Sequence, residues 1–175
     1  MNRLIKNVIL CTAFLLLGTL VRAQDSEEIK ELIIKAQIEY NNANFKEAAQ
    51  YYSDVLSKND VHKNALLQRG FCYAALSMYS EAIEDYTHLI KLEPEHVAAY
   101  VSRGSAYNKI EEFETAILDF EMAIKLDPKN QEAYNNRGFA YKGMGKLSDA
   151  CNDWHTSRKL GNEEASIIIK NNRCK

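Results

Sequence analysis

Residues 97–130 read VAAYVSRGSAYNKIEEFETAILDFEMAIKLDPKN, and the 34 residues before them, 63–96, read KNALLQRGFCYAALSMYSEAIEDYTHLIKLEPEH in the same register. The period extends to 29–62 and to 131–164, so four blocks follow one another without a gap. A fixed period of this length indicates stacked supersecondary units, each of which buries its apolar face against its neighbours.

Several columns of this repeat hold the same kind of side chain in nearly every block. Column 8 is small, column 20 is alanine, column 24 is aromatic, column 17 is aromatic in three blocks, and column 11 is tyrosine in three. Small residues let two helices approach closely, and large rings fill the space beside that contact. In that order the columns hold Ala36, Gly70, Gly104 and Gly138; Ala48, Ala82, Ala116 and Ala150; Tyr52, Tyr86, Phe120 and Trp154; Phe45, Tyr79, Phe113 and Leu147; and Tyr73, Tyr107 and Tyr141.

Each block also contains two runs in which apolar residues recur at spacings of three and four, as amphipathic helices require. In the third block we expect these helices at 97–109 and 113–126, with the polar turn 110–112 between them. Pro94 and Pro128 end the second helices of their blocks, because proline lacks an N–H group and disfavours helix at the residue before it. The sequence therefore predicts an all-α chain.

The repeating columns resemble those of the tetratricopeptide repeat (TPR) family over residues 29–164. The resemblance implies one helix–turn–helix per repeat, stacked into a right-handed superhelical solenoid with a concave face, and we expect a C-terminal cap helix at 165–175. The first block departs from the pattern at Glu39 and Asp60, and the fourth has Asn162 in place of proline. Terminal repeats are commonly atypical, so we predict four repeats.

A charged pair recurs in the last three blocks, with arginine in column 7 and aspartate in column 23. Their co-occurrence predicts an ion pair between the two helices of each repeat. The alternative is an arginine ladder for an acidic ligand, but arginines that bind phosphate have no carboxylate of their own. The predicted pairs are Arg69 with Asp85, Arg103 with Asp119, and Arg137 with Asp153.

The N-terminal residues are typical of a secretory signal peptide. Arg3 and Lys6 form a short basic start, an apolar run covers 8–20, and small residues before the cut favour cleavage after Ala23. The apolar run is too short for a comfortable transmembrane helix. We therefore interpret 1–23 as a signal peptide.

Two other interpretations of this segment remain, a lipid anchor at Cys11 and an uncleaved membrane anchor. Leu10 stands where a lipoprotein needs a small residue, so cleavage is favoured. Residues 24–28 then form a loose leader into the first helix. We expect the mature protein to be exported, to a periplasm or outside the cell, without insertion into the membrane.

Cleavage leaves an acidic chain. Arg3, Lys6 and Arg22 depart from a total of 22 basic against 24 acidic residues, so the formal charge changes from −2 to −5. A nucleic-acid-binding protein needs a basic face, and this charge gives no attraction to an anionic membrane. Nucleic acid is therefore excluded as a partner.

Three cysteines follow the signal peptide. Cys151 lies in column 21 of the fourth block and Cys174 in column 10 of the cap, and both columns are small or apolar in every block. The two can meet between the last repeat and its cap, and an oxidising compartment favours a disulfide there. The alternative is two separate buried thiols. Cys72 has Ala49 in the matching position, so we interpret it as a buried free thiol.

No constellation of residues indicates catalysis or metal binding. Cys151 and His155 lie four apart on one expected helix, but a metal site needs three or four ligands at one point. The sequence has no Gly-rich phosphate loop, no HExxH motif and no GxSxG motif. We therefore expect no enzyme activity, no metal and no cofactor.

In the TPR family, ligand peptides lie in a concave groove lined by columns 2, 5, 9 and 12. On this chain those columns combine aromatic side chains with amides and lysines, which suits a peptide segment. The alternative for Phe71 and Phe139 is packing against neighbouring helices. The groove residues that the resemblance implies are Lys30, Gln37, Tyr40, Asn64, Phe71, Ser105, Asn108, Asn135, Phe139 and Lys142.

One family subtype is excluded by the same columns. Chaperone-binding TPR domains grip a C-terminal carboxylate with a clamp of Lys, Asn, Asn, Lys and Arg. Neither possible placement of that clamp on this chain supplies a basic residue. The first three blocks hold Ile33, Gln37, Gln68, Ala98 and Ser102 at those positions, and the last three hold Leu67, Phe71, Ser102, Glu132 and Asn136.

The sequence therefore predicts an exported, non-catalytic adaptor that binds a protein or peptide partner in its concave groove. Two alternatives remain. The first is an accessory subunit of an envelope assembly or secretion machine, docking by its convex face or an end. The second is a self-associating structural spacer, against which the capped C-terminus argues mildly, so we expect a monomer.

Overall fold

The computed structural model describes residues 26–174, and the expected signal peptide lies outside them. Residues 26–41 form the first helix, α1. The interpretation of 24–28 as a loose leader is therefore wrong for residues 26–28, which are already helical. Acidic side chains stabilise the N-terminal turn of a helix.

Eight more helices follow α1 in the described part of the chain, and the prediction of an all-α fold is confirmed. In the third repeat the predicted helix bounds agree with the observed ones. The helices are α2 Phe45–Lys58, α3 Lys63–Ala75, α4 Tyr79–Leu92, α5 Val97–Lys109, α6 Phe113–Leu126, α7 Gln131–Gly143, α8 Leu147–Lys159 and α9 Glu164–Asn171.

The helices form two layers. From the second repeat onward, each first helix packs against the second helix of its own repeat, as α5 does against α6, and also against the second helix of the repeat before it. First helices contact one another as well, α3 with α5 and α5 with α7, whereas among the described residues α4, α6 and α8 are not in comparable contact. The first helices therefore lie on the inner, concave side of the stack.

Every first helix ends in the same turn. The residue in column 15 is left-handed each time, with φ between 60° and 75°, although only the fourth block has glycine there. The next N–H group reaches back to the column 11 carbonyl, as from Glu112 to Tyr107 at 3.0 Å, which is a Schellman-type closure. The left-handed residues are Ala43, Ser77, Glu111 and Gly145.

Three first helices begin with a side-chain cap from column 34. The Nδ1 atom of His62 accepts a hydrogen bond from the Ala65 N–H group at 3.2 Å, and that of His96 accepts one from Ala99 at 3.1 Å. Asn130 caps α7 in the same way through its amide oxygen. These two histidines are therefore helix caps, and they occupy the same column of their repeats.

Columns 8 and 24 form the seam inside each repeat. A Cβ atom added at Gly104 would lie 2.8 Å from Cε1 of Phe120 and 3.2 Å from the backbone oxygen of Ala116. The corresponding atom at Gly138 would lie 2.6 Å from Nε1 of Trp154. In the last three repeats the aromatic ring of the second helix thus occupies the space that a side chain in column 8 would need.

Substitution Gly104→Leu should lower the free energy of unfolding by about 1–3 kcal/mol, because the added side chain overpacks this seam. Urea denaturation followed by circular dichroism measures the loss. Ala98→Leu, at an exposed position of the same helix, is the control and should change stability by less than about 0.5 kcal/mol. Equal stability of the two variants would show that the seam is not tight.

The two ends of the stack differ. At the N-terminal end Ile34 and Ile38 of α1 are 60% and 51% exposed, because no described helix packs on their side. At the C-terminal end α9 covers Trp154, and Ile169 packs beside it. The predicted disulfide is present: Cys151 is bonded to Cys174, with their Cα atoms 5.4 Å apart, and it ties the end of the chain to α8.

Cys72 is a fully buried free thiol, as predicted. Burial raises the pKa of this thiol to about 11, so almost none of it is thiolate at neutral pH. We expect iodoacetamide to leave Cys72 unlabelled in the native protein at pH 8 and to label it fully in guanidinium chloride, as read by peptide mass spectrometry. Rapid labelling without denaturant would place Cys72 at a mobile or exposed site.

Candidate functional site

Two adjoining pockets lie on the concave side of the stack. The larger, of about 360 Å³, lies between α5 and α7, and the smaller, of about 210 Å³, lies between α3 and α5. They share Ser105 and Lys109, so they form one continuous depression across three repeats. Together they are called the groove below.

The larger pocket has a polar wall of connected side chains. Asn136 donates from Nδ2 to the Ser105 hydroxyl at 3.0 Å, and Asn108 donates from Nδ2 to the Asn136 carbonyl at 2.9 Å. Ser105 in turn donates to the Val101 carbonyl at 2.8 Å. These bonds fix the side chains across two repeats, so the wall is preorganised rather than loose.

Aromatic rings form the apolar part of the groove. Phe139 is 41% exposed and its ring meets that of Trp154 edge-on, with centroids 5.4 Å apart. Phe71 is half-buried and its ring centroid lies 6.0 Å from that of Tyr86. Both alternatives for these phenylalanines therefore hold, since each packs on a buried ring and also lines a pocket.

The buried rings behind the groove stay neutral. Burial raises the pKa of the Tyr86 hydroxyl well above its ordinary value. The indole N–H group of Trp154 donates to the Asn135 carbonyl at 3.2 Å, which fixes the ring below Phe139. These two buried rings therefore shape the groove without adding a charge to it.

The structure brings four of the ten predicted groove residues into these pockets: Phe71, Ser105, Asn108 and Phe139. The other six line neither pocket, and four of them have local partners instead. Lys30 pairs with Glu27 at 3.0 Å, Gln37 donates to Asn41, and the Tyr40 ring packs on Phe45. Asn135 donates from Nδ2 to the side-chain oxygen of Asn136 at 3.4 Å. The remaining two are Asn64 and Lys142.

Several groove residues were not predicted. Asn136 and Lys109 line the larger pocket, as does Phe113 from the start of α6. Lys109 lies in column 13, which was not among the columns expected to face the groove. Asn136 lies in column 6 and was considered only for the clamp. The polar character of column 6 in the last three blocks was the available signal.

The three predicted arginine–aspartate pairs are observed between the helices of their repeats. Arg103 donates from Nε and Nη2 to both carboxylate oxygens of Asp119, at 2.8 and 2.7 Å, and the other two pairs have the same fork. The hydrogen bond with Asp119 raises the pKa of Arg103 above its ordinary value. Each aspartate is buried, so these arginines stabilise the fold and do not form a ladder for an acidic ligand.

Two of these arginines have a second partner that the sequence did not predict. Arg69 also donates to the Ser53 hydroxyl at 3.1 Å, and Arg103 donates to the Thr87 hydroxyl at 3.0 Å. Both hydroxyls lie in column 25 of the preceding repeat. The arginine therefore joins three helices and fixes the angle between neighbouring repeats.

The described residues hold no cluster of three or more side chains suited to a metal ion. Among the helices within residues 26–174, none is both long and apolar enough to cross a membrane.

Two family profiles match the chain: one described as TPR repeat covers residues 104–145, and one described as Tetratricopeptide repeat covers 35–87. No curated protein matches the sequence. A crystal structure of MamA is similar, with 25% identity and a TM-score of 0.68 over 72% of this chain and 74% of that chain.

Two structures of RPAP3 are also similar. The first TPR domain of human RPAP3 has 28% identity and a TM-score of 0.61, over 63% of this chain and 89% of that chain. The first TPR of Spaghetti (RPAP3) bound to the HSP90 peptide SRMEEVD has 22% identity and a TM-score of 0.65, over 69% and 95%.

Helical hairpins stacked in register, with their first helices lining a groove, define an α-helical repeat module. The chain is a tetratricopeptide repeat protein. This fold is a protein–protein interaction module, and proteins that carry it typically act as scaffolds.

Proposed function

We propose that this protein is an exported, non-catalytic adaptor that holds a segment of a partner protein in its concave groove. The observation that carries this proposal is the groove itself. It spans three repeats, its polar wall is fixed by hydrogen bonds, and it leaves Phe139 two-fifths exposed beside a lysine. A partly exposed aromatic ring next to polar groups is a typical anchor point for a peptide.

Export is supported by the sequence of residues 1–23 and by the disulfide at the C-terminal end. Disulfides persist in oxidising compartments and are rare in the cytosol. N-terminal sequencing of the protein from an envelope fraction tests this part, and we expect the chain to begin at Gln24. A chain that retains Met1 would contradict cleavage.

The absence of catalysis is proposed from the chemistry of the groove. Its larger pocket is lined by amides, a hydroxyl, an ammonium group and two phenylalanine rings. None of these is a nucleophile with a neighbouring base, or a pair of carboxylates for acid–base work. We expect the site to bind and not to transform its partner.

The test is a crosslinked pull-down from the native extract with the purified protein as bait. We expect the double variant Phe71→Ala/Phe139→Ala to lose a partner that the unchanged protein captures. Leu118→Ala, at a 65% exposed position on α6, is the matched control and should retain it. Capture by the double variant, with its helical circular dichroism intact, would move the interface off the groove.

A C-terminal EEVD peptide should not bind through a carboxylate clamp, although the RPAP3 structure holds SRMEEVD. The positions of the family's carboxylate clamp hold no lysine or arginine on this chain. Fluorescence anisotropy with labelled SRMEEVD, once as the free acid and once as the C-terminal amide, measures this directly. Micromolar binding of the free acid that the amide loses would show that other cations replace the clamp.

A further inference from the structure

The larger pocket of the groove carries one positive charge and no negative charge. Lys109 is exposed and is the last residue of α5, where it faces this pocket. Among residues 26–174, no carboxylate oxygen lies within 4.0 Å of its ammonium group. The charge is therefore free to pair with a group on a partner.

The rest of the polar wall also has N–H groups without a hydrogen-bond partner. An amide nitrogen carries two N–H groups. Asn108 and Asn136 each use one of them, to the Asn136 carbonyl and the Ser105 hydroxyl. With the three donors of the ammonium group of Lys109, the pocket presents several N–H groups, whereas the side-chain oxygen of Asn108, an acceptor without a partner, is buried. An occupant rich in acceptor oxygens is the chemical complement of this wall.

The rest of the lining of this pocket is apolar. Phe113 and Phe139 line the pocket beside these donors, and its volume of about 360 Å³ exceeds what one carboxylate needs. An apolar side chain next to the acidic one would occupy the remainder. The smaller pocket differs, because Glu132 lies there as well as Lys109 and repels a second carboxylate.

Resting on the proposed function, we propose that the groove recognises an internal peptide segment in which an aspartate or glutamate stands beside a large apolar residue. The carboxylate binds Lys109 and the free amide N–H groups, and the apolar side chain lies between Phe113 and Phe139. Lys109 is then the residue that determines specificity. Recognition is of a side-chain carboxylate within the segment, so a free C-terminus is not required.

The test is a selection from random 12-residue peptides displayed as N-terminal fusions, which have no free C-terminus, on the purified protein. We expect selected peptides to share an acidic residue adjacent to an apolar one. Their synthetic copies should bind Lys109→Glu about tenfold more weakly, since attraction becomes repulsion. Lys125→Glu is the control, because Lys125 is equally exposed, lies in the last turn of α6 and lines neither pocket.

The outcomes separate the inference from the proposed function. Peptides that lose binding to Phe71→Ala/Phe139→Ala but show no acidic preference, or bind Lys109→Glu unchanged, would overturn the acidic motif and leave the groove as the binding site. A selection that yields no peptide dependent on Phe71 and Phe139 would contradict groove binding itself. Selective loss with Lys109→Glu, and not with Lys125→Glu, supports the inference.

Discussion

Arg103→Ala is expected to lower the free energy of unfolding by about 3–5 kcal/mol. The substitution removes both hydrogen bonds to Asp119, which is 5% exposed, and leaves its charge buried without a partner. It also removes the bond to Thr87 of the preceding repeat. Urea denaturation followed by circular dichroism measures the effect.

The matched comparison is the double variant Arg103→Met/Asp119→Leu. It replaces both charges by apolar side chains and leaves no ion unpaired, so it should lose less than Arg103→Ala alone. A double variant that is less stable than the single one would mean that the pair itself, and not the unpaired aspartate, carries the energy. Unchanged stability of Arg103→Ala would show that Asp119 is solvated.

Removal of the disulfide by Cys151→Ser/Cys174→Ser should lower the free energy of unfolding by about 2–4 kcal/mol. The bond joins residues 23 apart in sequence and restrains α9. Helix α9 is only eight residues long. Without the disulfide it should therefore separate from Trp154 more readily. Denaturation followed by tryptophan fluorescence reports this end of the chain, because Trp154 is the sole tryptophan.

Reducing agent provides the control for that experiment. Dithiothreitol should destabilise the unchanged protein by a similar amount and leave the serine variant unaffected. Equal stability of the oxidised and reduced protein would show that the cap is held by packing alone. Separation of α9 would also expose Ile169 and Trp154, which are buried together, so loss of the restraint should increase aggregation.

The fold was predictable because its determinants repeat. Gly104 and Phe120 occupy one seam, and the same two columns recur in each block, so the sequence predicts the contact before any distance is known. The arginine–aspartate pairs were predictable for the same reason. Their hydroxyl partners Ser53 and Thr87 were not, because column 25 also holds Glu121 and His155.

The groove was only partly predictable because binding residues do not repeat. Ser105, Asn108 and Asn136 join across two repeats through bonds between residues 28 and 31 apart. The kind of side chain in columns 9 and 12 changes between blocks and only column 6 stays polar in the last three, so the columns do not indicate which residues bond to one another. Lys109 faces the larger pocket from the end of α5, a position that depends on the packing of neighbouring repeats.

The start of the first helix was also not fully predictable from the sequence. Ser26 to Glu28 were interpreted as a leader because they precede the repeat, yet they are helical. Glu28 lies 3.0 Å from the ammonium group of Lys58 on α2. This contact with the following helix lies outside the register of the repeat, and the column count alone contains no sign of it.

Site-specific photo-crosslinking in the native host would show whether a partner lies in the concave groove. A photoreactive phenylalanine analogue at position 139 places the probe in the groove, and the same analogue at position 118 places it on exposed α6. We expect one partner protein to crosslink from position 139 and not from position 118. Crosslinking of that partner from position 118 alone would contradict binding in the concave groove.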